Sequence, residues 1–158
     1  MMEIDDLIAE GQRLLSQMKF EEAAVAFGAA IAVDPGNPVL LASRGAAFIA
    51  LGRYDEAFAD FDRAVALAPD SPRLYYRRGM GRMAQMDFEA AVADFSRAID
   101  LDHQYAVAFY SRGMAYDSLG REQESQEDLR RSWVLGSAKL QGELDSYGII
   151  RTEMDKPR

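Results

Sequence analysis

The chain has 158 residues, of which 18 are Lys or Arg and 26 are Asp or Glu, giving a formal net charge of −8. That balance argues against a nucleic-acid binder, because grip on a phosphate backbone depends on clustered cations, and the arginines here form no run. The absence of cysteine excludes disulfides, thiol catalysis and sulfur-held metals.

In chain order, the opening Met-Met-Glu-Ile-Asp-Asp has neither a basic stretch nor an apolar one, so no signal peptide is expected and the protein is placed in the cytoplasm. Two short amphipathic helices are predicted next, over about 5–16 and about 21–33. The second contains the longest apolar run, Ala23 to Val33, well short of the ~18 residues of a membrane span. The same helix pair is predicted over about 38–51 and 55–67, about 72–84 and 89–101, and about 106–119 and 122–135. Gly52 and Gly120 stand in the turns inside two of these pairs, where a residue past a helix end takes positive φ. Pro38 and Pro72 suit a first helical turn after the stops at Pro35 and Pro69. Beyond Gly136, Leu140, Leu144, Tyr147 and Met154 keep helical spacing, which predicts a closing helix over about 138–154. No strand-like alternation of useful length occurs, so the chain is predicted to be all-α.

The pairs repeat at a fixed step. Gly11, Gly45, Gly79 and Gly113 stand 34 residues apart, as do Ala23, Ala57 and Ala91, then Phe27, Phe61 and Phe95, and Ala30, Ala64 and Ala98. A mid-helix glycine costs up to about 1 kcal/mol relative to alanine, so four in register predict close helix contact. The alanines predict the same, and the phenylalanines fill the space between neighbours. Tyr75, Gly79, Ala91, Phe95, Ala98 and Leu101, with Leu41, Gly45, Phe48, Ala57, Phe61, Ala64 and Pro69, resemble the tetratricopeptide repeat, here of bacterial type. The resemblance implies a right-handed superhelical solenoid with units over about 4–37, 38–71, 72–105 and 106–137 and a closing helix. The fourth unit departs from the pattern, with Ser125, Leu129 and Ser132 at the Ala, Phe and Ala positions.

Candidate chemistry is sparse. Arg44, Arg78 and Arg112 are each followed 16 residues later by Asp60, Asp94 and Asp128, while the first unit has Glu10 and Ala26 instead. Their joint presence and absence predicts ion pairs between helices rather than an anion site. His103 is the sole histidine and has no second His or Cys to build a metal or catalytic group with. Gly79-Met80-Gly81 follows no strand and precedes no Lys-Ser/Thr, so it is no phosphate loop. The chain is therefore expected not to be an enzyme and to need no cofactor or metal.

The resemblance implies instead a peptide-binding groove lined by the first helices. At matching positions stand Ile8 and Gln12, then Ser43, Ala46 and Ile49, then Arg73, Tyr76, Arg77, Met80 and Met83, and finally Tyr110, Met114 and Asp117. Exposed Tyr and Met suit a surface that holds a partner. Some members of the family hold acidic chaperone tails through five clamp residues, matched here by Ile8, Gln12, Ser43, Arg73 and Arg77, of which only the last two keep the charge. They imply a protein or peptide partner with apolar anchors and an acidic group. A second candidate surface is the outer face of the first unit's second helix, where small Ala26, Gly28, Ala29 and Ala32 leave room for a second copy of the chain. The function expected is a protein-interaction scaffold or adaptor. A chaperone for an apolar or secreted client and a self-assembling module stand beside it as alternatives.

Overall fold

A computed structural model describes residues 2–146, with side chains through Lys139. Among the described residues the chain forms eight helices and no strand. They are α1 (Ile4–Ser16), α2 (Phe20–Val33), α3 (Pro38–Ala50), α4 (Tyr54–Leu67), α5 (Pro72–Ala84), α6 (Phe88–Leu101), α7 (Ala106–Ser118) and α8 (Glu122–Ser146). Each helix packs on the next in sequence, and the first helices of successive units also touch, α3 on α5 and α5 on α7. The result is the all-α solenoid that the 34-residue step predicts.

Local chemistry sets the boundaries. Asn37 accepts hydrogen bonds from the Val39 and Leu40 amides at 3.1 and 3.4 Å, with Pro38 in the first turn of α3. Between the helices of each unit, the amides of Lys19, Arg53, Asp87 and Arg121 reach back to the carbonyls of Leu14, Phe48, Arg82 and Tyr116 at 2.9 Å. That closure needs a left-handed residue just before it, and four positions 34 apart supply one. Gly52 and Gly120 do so with φ of 72° and 71°, and Met18 and Met86 with φ of 59° and 63°. The two methionines were not legible as turn residues, because a side chain seldom adopts this backbone.

The core follows the repeat. Phe27, Phe61 and Phe95 are at most 2% exposed, and the alanines at 23, 57, 91, 30, 64 and 98 are fully buried. A methyl group at Gly79 would lie 2.7 Å from the Phe95 ring, and one at Gly11 2.7 Å from Phe27, so the glycines are where the two helices of a unit meet. Each repeated Arg–Asp couple is a two-pronged ion pair within its unit. Arg44 donates to Asp60 twice at 2.7 Å, Arg78 to Asp94 at 3.0 and 2.7 Å, and Arg112 to Asp128 at 2.7 and 2.8 Å. The remaining guanidinium nitrogen ties on to the previous unit, at Asp62 for Arg78 and Ser96 for Arg112.

The C-terminal expectation needs correction. No break separates the fourth unit from a closing helix: α8 runs unbroken from Glu122 to Ser146 through Gly136, and the rest of the expected span, 147–154, lies outside the described residues. Units one and two end at Pro35 and Pro69, and unit three at a turn in which Asp102 accepts from the Gln104 amide at 3.0 Å. The sequence immediately after Leu135 has neither device, so the helix continues through Gly136.

Candidate functional site

The expected groove residues fall into three groups. Ile8 and Ile49 are half-buried and pack against the core, so they fill space between helices rather than standing free. Ser43 is buried, while Met83 is half-buried. Gln12, Arg73, Met80, Tyr110 and Met114 are exposed, the last three at 43%, 54% and 38%. These exposures separate residues that fill space between helices from residues that face outward.

At the centre, α5 brings Arg73, Tyr76 and Arg77 together. The Arg77 Nη1 donates to Ser43 Oγ on α3 at 3.4 Å, a long bond that spans two units. The Tyr76 ring lies 5.7 Å from that of Phe95 and 5.3 Å from that of Tyr105, so it is anchored by stacking and only partly free. Arg77 is half-buried, yet among the described residues no carboxylate lies within ion-pair reach of it or of Arg73. Arg44, Arg78 and Arg112, by contrast, are each fully paired. Burial, followed by repulsion from Arg73, lowers the Arg77 guanidinium below the ordinary arginine range. Burial also pushes the Tyr105 hydroxyl upward, chiefly against the pull of the two arginines. An anion placed here would offset the burial and the like-charge repulsion of Arg77 and leave the Tyr105 hydroxyl protonated, able to donate a hydrogen bond.

Two features were missed in the sequence. Tyr105 stands at the position that caps the next first helix, where the earlier units carry Asn37 and Ser71, and an aromatic there was the available signal. Val39 and Val107, 57% and 49% exposed, occupy the column of Arg73 one unit before and one unit after. The cationic pair is thus flanked along the array by open apolar side chains.

The candidate self-association face is corrected in part. Ala26 is buried because its column is the inward one that Asp60, Asp94 and Asp128 occupy, each also buried beneath its arginine. Gly28 is half-buried, with Arg44 Nη1 3.7 Å from where its methyl would be. Only Ala29 and Ala32 remain open, beside exposed Val25 and Val33. A separate cavity of about 490 Å³ between α7 and α8 is lined by Phe109, Arg112, Tyr116, Asp128 and Arg131 among others, but Arg112 and Asp128 are already spent on each other. His103 is exposed in its loop, and no cluster of three or more potential metal ligands occurs among the described residues.

Known proteins with this architecture align over most of the chain. The structure of MamA, residue 41 to the end, from Desulfovibrio magneticus RS-1 superposes with a TM-score of 0.74 at 19% identity, covering 86% of this chain and 77% of that one. The first repeat domain of Spaghetti (RPAP3), bound to the HSP90 peptide SRMEEVD, gives 0.67 at 29% identity over 74% of this chain and 93% of that one. The first such domain of human RPAP3 gives 0.69 at 29% over 77% and 96%. No curated protein matches the chain. Tetratricopeptide-repeat family models match residues 8–72 and 106–132, together more than half of its length. The chain belongs to the tetratricopeptide repeat family.

Proposed function

We propose that this protein is an interaction scaffold that holds an acidic, partly apolar segment of a partner on the face of its first helices. The observation that carries the reading is Arg77: a half-buried guanidinium beside Arg73 that, among the described residues, has Ser43 as its hydrogen-bond partner at 3.4 Å and no acid to neutralise it. A partner carboxylate meets both arginines with charge-assisted, two-pronged bonds. Val39, Val107, Met80, Tyr110 and Met114 then supply apolar contact on either side. A preformed surface keeps the ordering cost of binding low. The first-unit end of the groove offers Ile8 and Gln12 rather than cations, so the acidic group is held at the third unit. The peptide seen on the first domain of Spaghetti, SRMEEVD, combines acidic residues with Met and Val and has the chemistry expected of such a ligand.

The test is affinity capture of partners from cell extract by the parent, Arg77→Glu and Tyr110→Ala chains, followed by peptide titration at low and high salt. Arg77→Glu is expected to lose the captured partner, with the largest effect at low salt. Tyr110→Ala is expected to cost roughly 1–2 kcal/mol of binding. Equal capture by all three chains refutes the groove.

A further inference from the structure

The two ends of the array are built differently. In the units that have a successor, the trailing face is covered: Ile31 and Ile99 are 7% exposed, and Ala30, Ala64 and Ala98 are fully buried. The first helices that cover it place Leu40, Leu74 and Ala108, at most 4% exposed, and Ala47, Gly81 and Ala115, all buried, at two positions seven residues apart. At the leading end, the matching positions of α1 are exposed Asp6 and Arg13, with Arg13 paired to Glu10 at 2.6 Å. The front of the array is capped by charge and cannot sit on another unit's apolar back.

Among the described residues, nothing caps the back. Trp133, the chain's one tryptophan, stands in the column of Ile31 and Ile99 and is 76% exposed. Beside it Tyr110 is 54% exposed. Between the two lies a depression of about 370 Å³ floored by Leu129, Ser132 and Gly136, with Ser137 at its edge and no charged residue in its lining. A methyl group at Gly136 would meet nothing within 4 Å, so the hollow beside the tryptophan is open to a side chain.

We infer that this trailing face is a homodimer interface, in which two copies meet back to back and the Trp133 of each enters the hollow over Ser132 and Gly136 of the other. The occupant is a second copy for two reasons. The face carries a projecting aromatic and an adjacent small-residue hollow, which is the self-complementary arrangement a twofold interface requires. The uncharged lining also lets like meet like without the repulsion that a net charge of −8 imposes on other parts of the surface. Because the leading face is polar, head-to-tail growth is blocked and association stops at two. Tyr110 lines both this hollow and the proposed groove, whereas Trp133 and Gly136, which carry the interface and its tests, do not belong to the groove.

The tryptophan reports on its own burial. Sedimentation of the full chain, from low to hundreds of micromolar, is expected to show mass rising toward two copies. Over the same range Trp133 emission should shift to the blue and acrylamide quenching should fall. Trp133→Glu is expected to hold the chain monomeric with unchanged helicity, since that side chain supports little of the fold. Gly136→Leu is the discriminating variant. It adds apolar surface and a better helix former, so non-specific stickiness would increase, whereas filling the hollow should weaken the dimer about tenfold or more. Ala32→Glu, on the separate α2 face, should leave dimerisation unchanged. Any of five results overturns the inference: a monomer throughout, a tryptophan shielded at every concentration, masses growing beyond two copies, a dimer that tightens in Gly136→Leu, or one that is lost in Ala32→Glu.

Discussion

Placing alanine at Gly79 and at Gly28 sets one substitution against itself, because both glycines are helical and only their surroundings differ. Helix propensity alone favours alanine by up to about 1 kcal/mol at either site. At Gly79 the new methyl lies 2.7 Å from Phe95 Cε1, 2.9 Å from Cδ1 and 3.2 Å from Asp94 Cβ. None of these can retreat easily. Phe95 is fully buried against Tyr76, and Asp94 is fixed by two bonds from Arg78. Overpacking of this kind costs about 1–3 kcal/mol and exceeds the propensity gain. Gly79→Ala should therefore lose roughly 1–2 kcal/mol, lowering Tm by about 2–4 °C per kcal/mol for a chain of this size. At Gly28 the methyl approaches only the Arg44 Nη1, at 3.7 Å, so Gly28→Ala should gain up to about 1 kcal/mol. Thermal and urea denaturation followed by circular dichroism measures both. A Gly79→Ala chain as stable as the parent would show that the helices of a unit do not meet at these glycines.

Further expectations rest on the same structure. Asp60→Ala should cost about 2–3 kcal/mol by stranding the partly buried Arg44, and Asp94→Ala should cost about 1 kcal/mol less, because Arg78 keeps Asp62 at 2.9 Å; urea midpoints compare the two. Met86→Gly should stabilise by about 0.5–1 kcal/mol, since Met86 is exposed with φ of 63°, and a lower Tm would contradict this. Arg77→Ser should leave stability within about 1 kcal/mol of the parent, yet weaken an acidic peptide about tenfold or more, as read by calorimetric titration.

How much of this was legible depended on whether a residue's identity announces its environment. Gly, Ala and Phe at the 34-residue step did, because only small residues allow helices to meet and only a large one fills the remaining gap. Helix ends were legible where Pro or Gly marks them and obscure where nothing does, which is why Met18 and Met86 were missed and the unbroken α8 was divided. Charge misled at Ala26. Asp60 and Asp94 look like solvent-facing residues, and the matching alanine therefore looked bare. Burial becomes affordable for an aspartate that accepts two bonds from one guanidinium, and the whole column turns inward with it.

The arginines carry the argument from fold to function. Arg78 and Arg77 are neighbours in sequence, with the same side chain on the same helix, and their surroundings separate them. Arg78 points to the side of α5 where second helices supply Asp62 and Asp94, and its charge is consumed within the fold. Arg77 points to the side where the array has only other first helices. In its own column the flanking units carry Ser43 and Ser111, both buried and uncharged. A serine at this position therefore suffices for stacking, and the guanidinium brings the fold a desolvation cost with no acid among the described residues to offset it. Residues that cost stability without a structural return are the ones to assign to binding, and here that cost sits beside a second arginine, unpaired among the described residues, and a tyrosine held in place by its neighbours. On the reading proposed above, a carboxylate on a partner offsets it, and the Arg77→Ser titration is the measurement that decides.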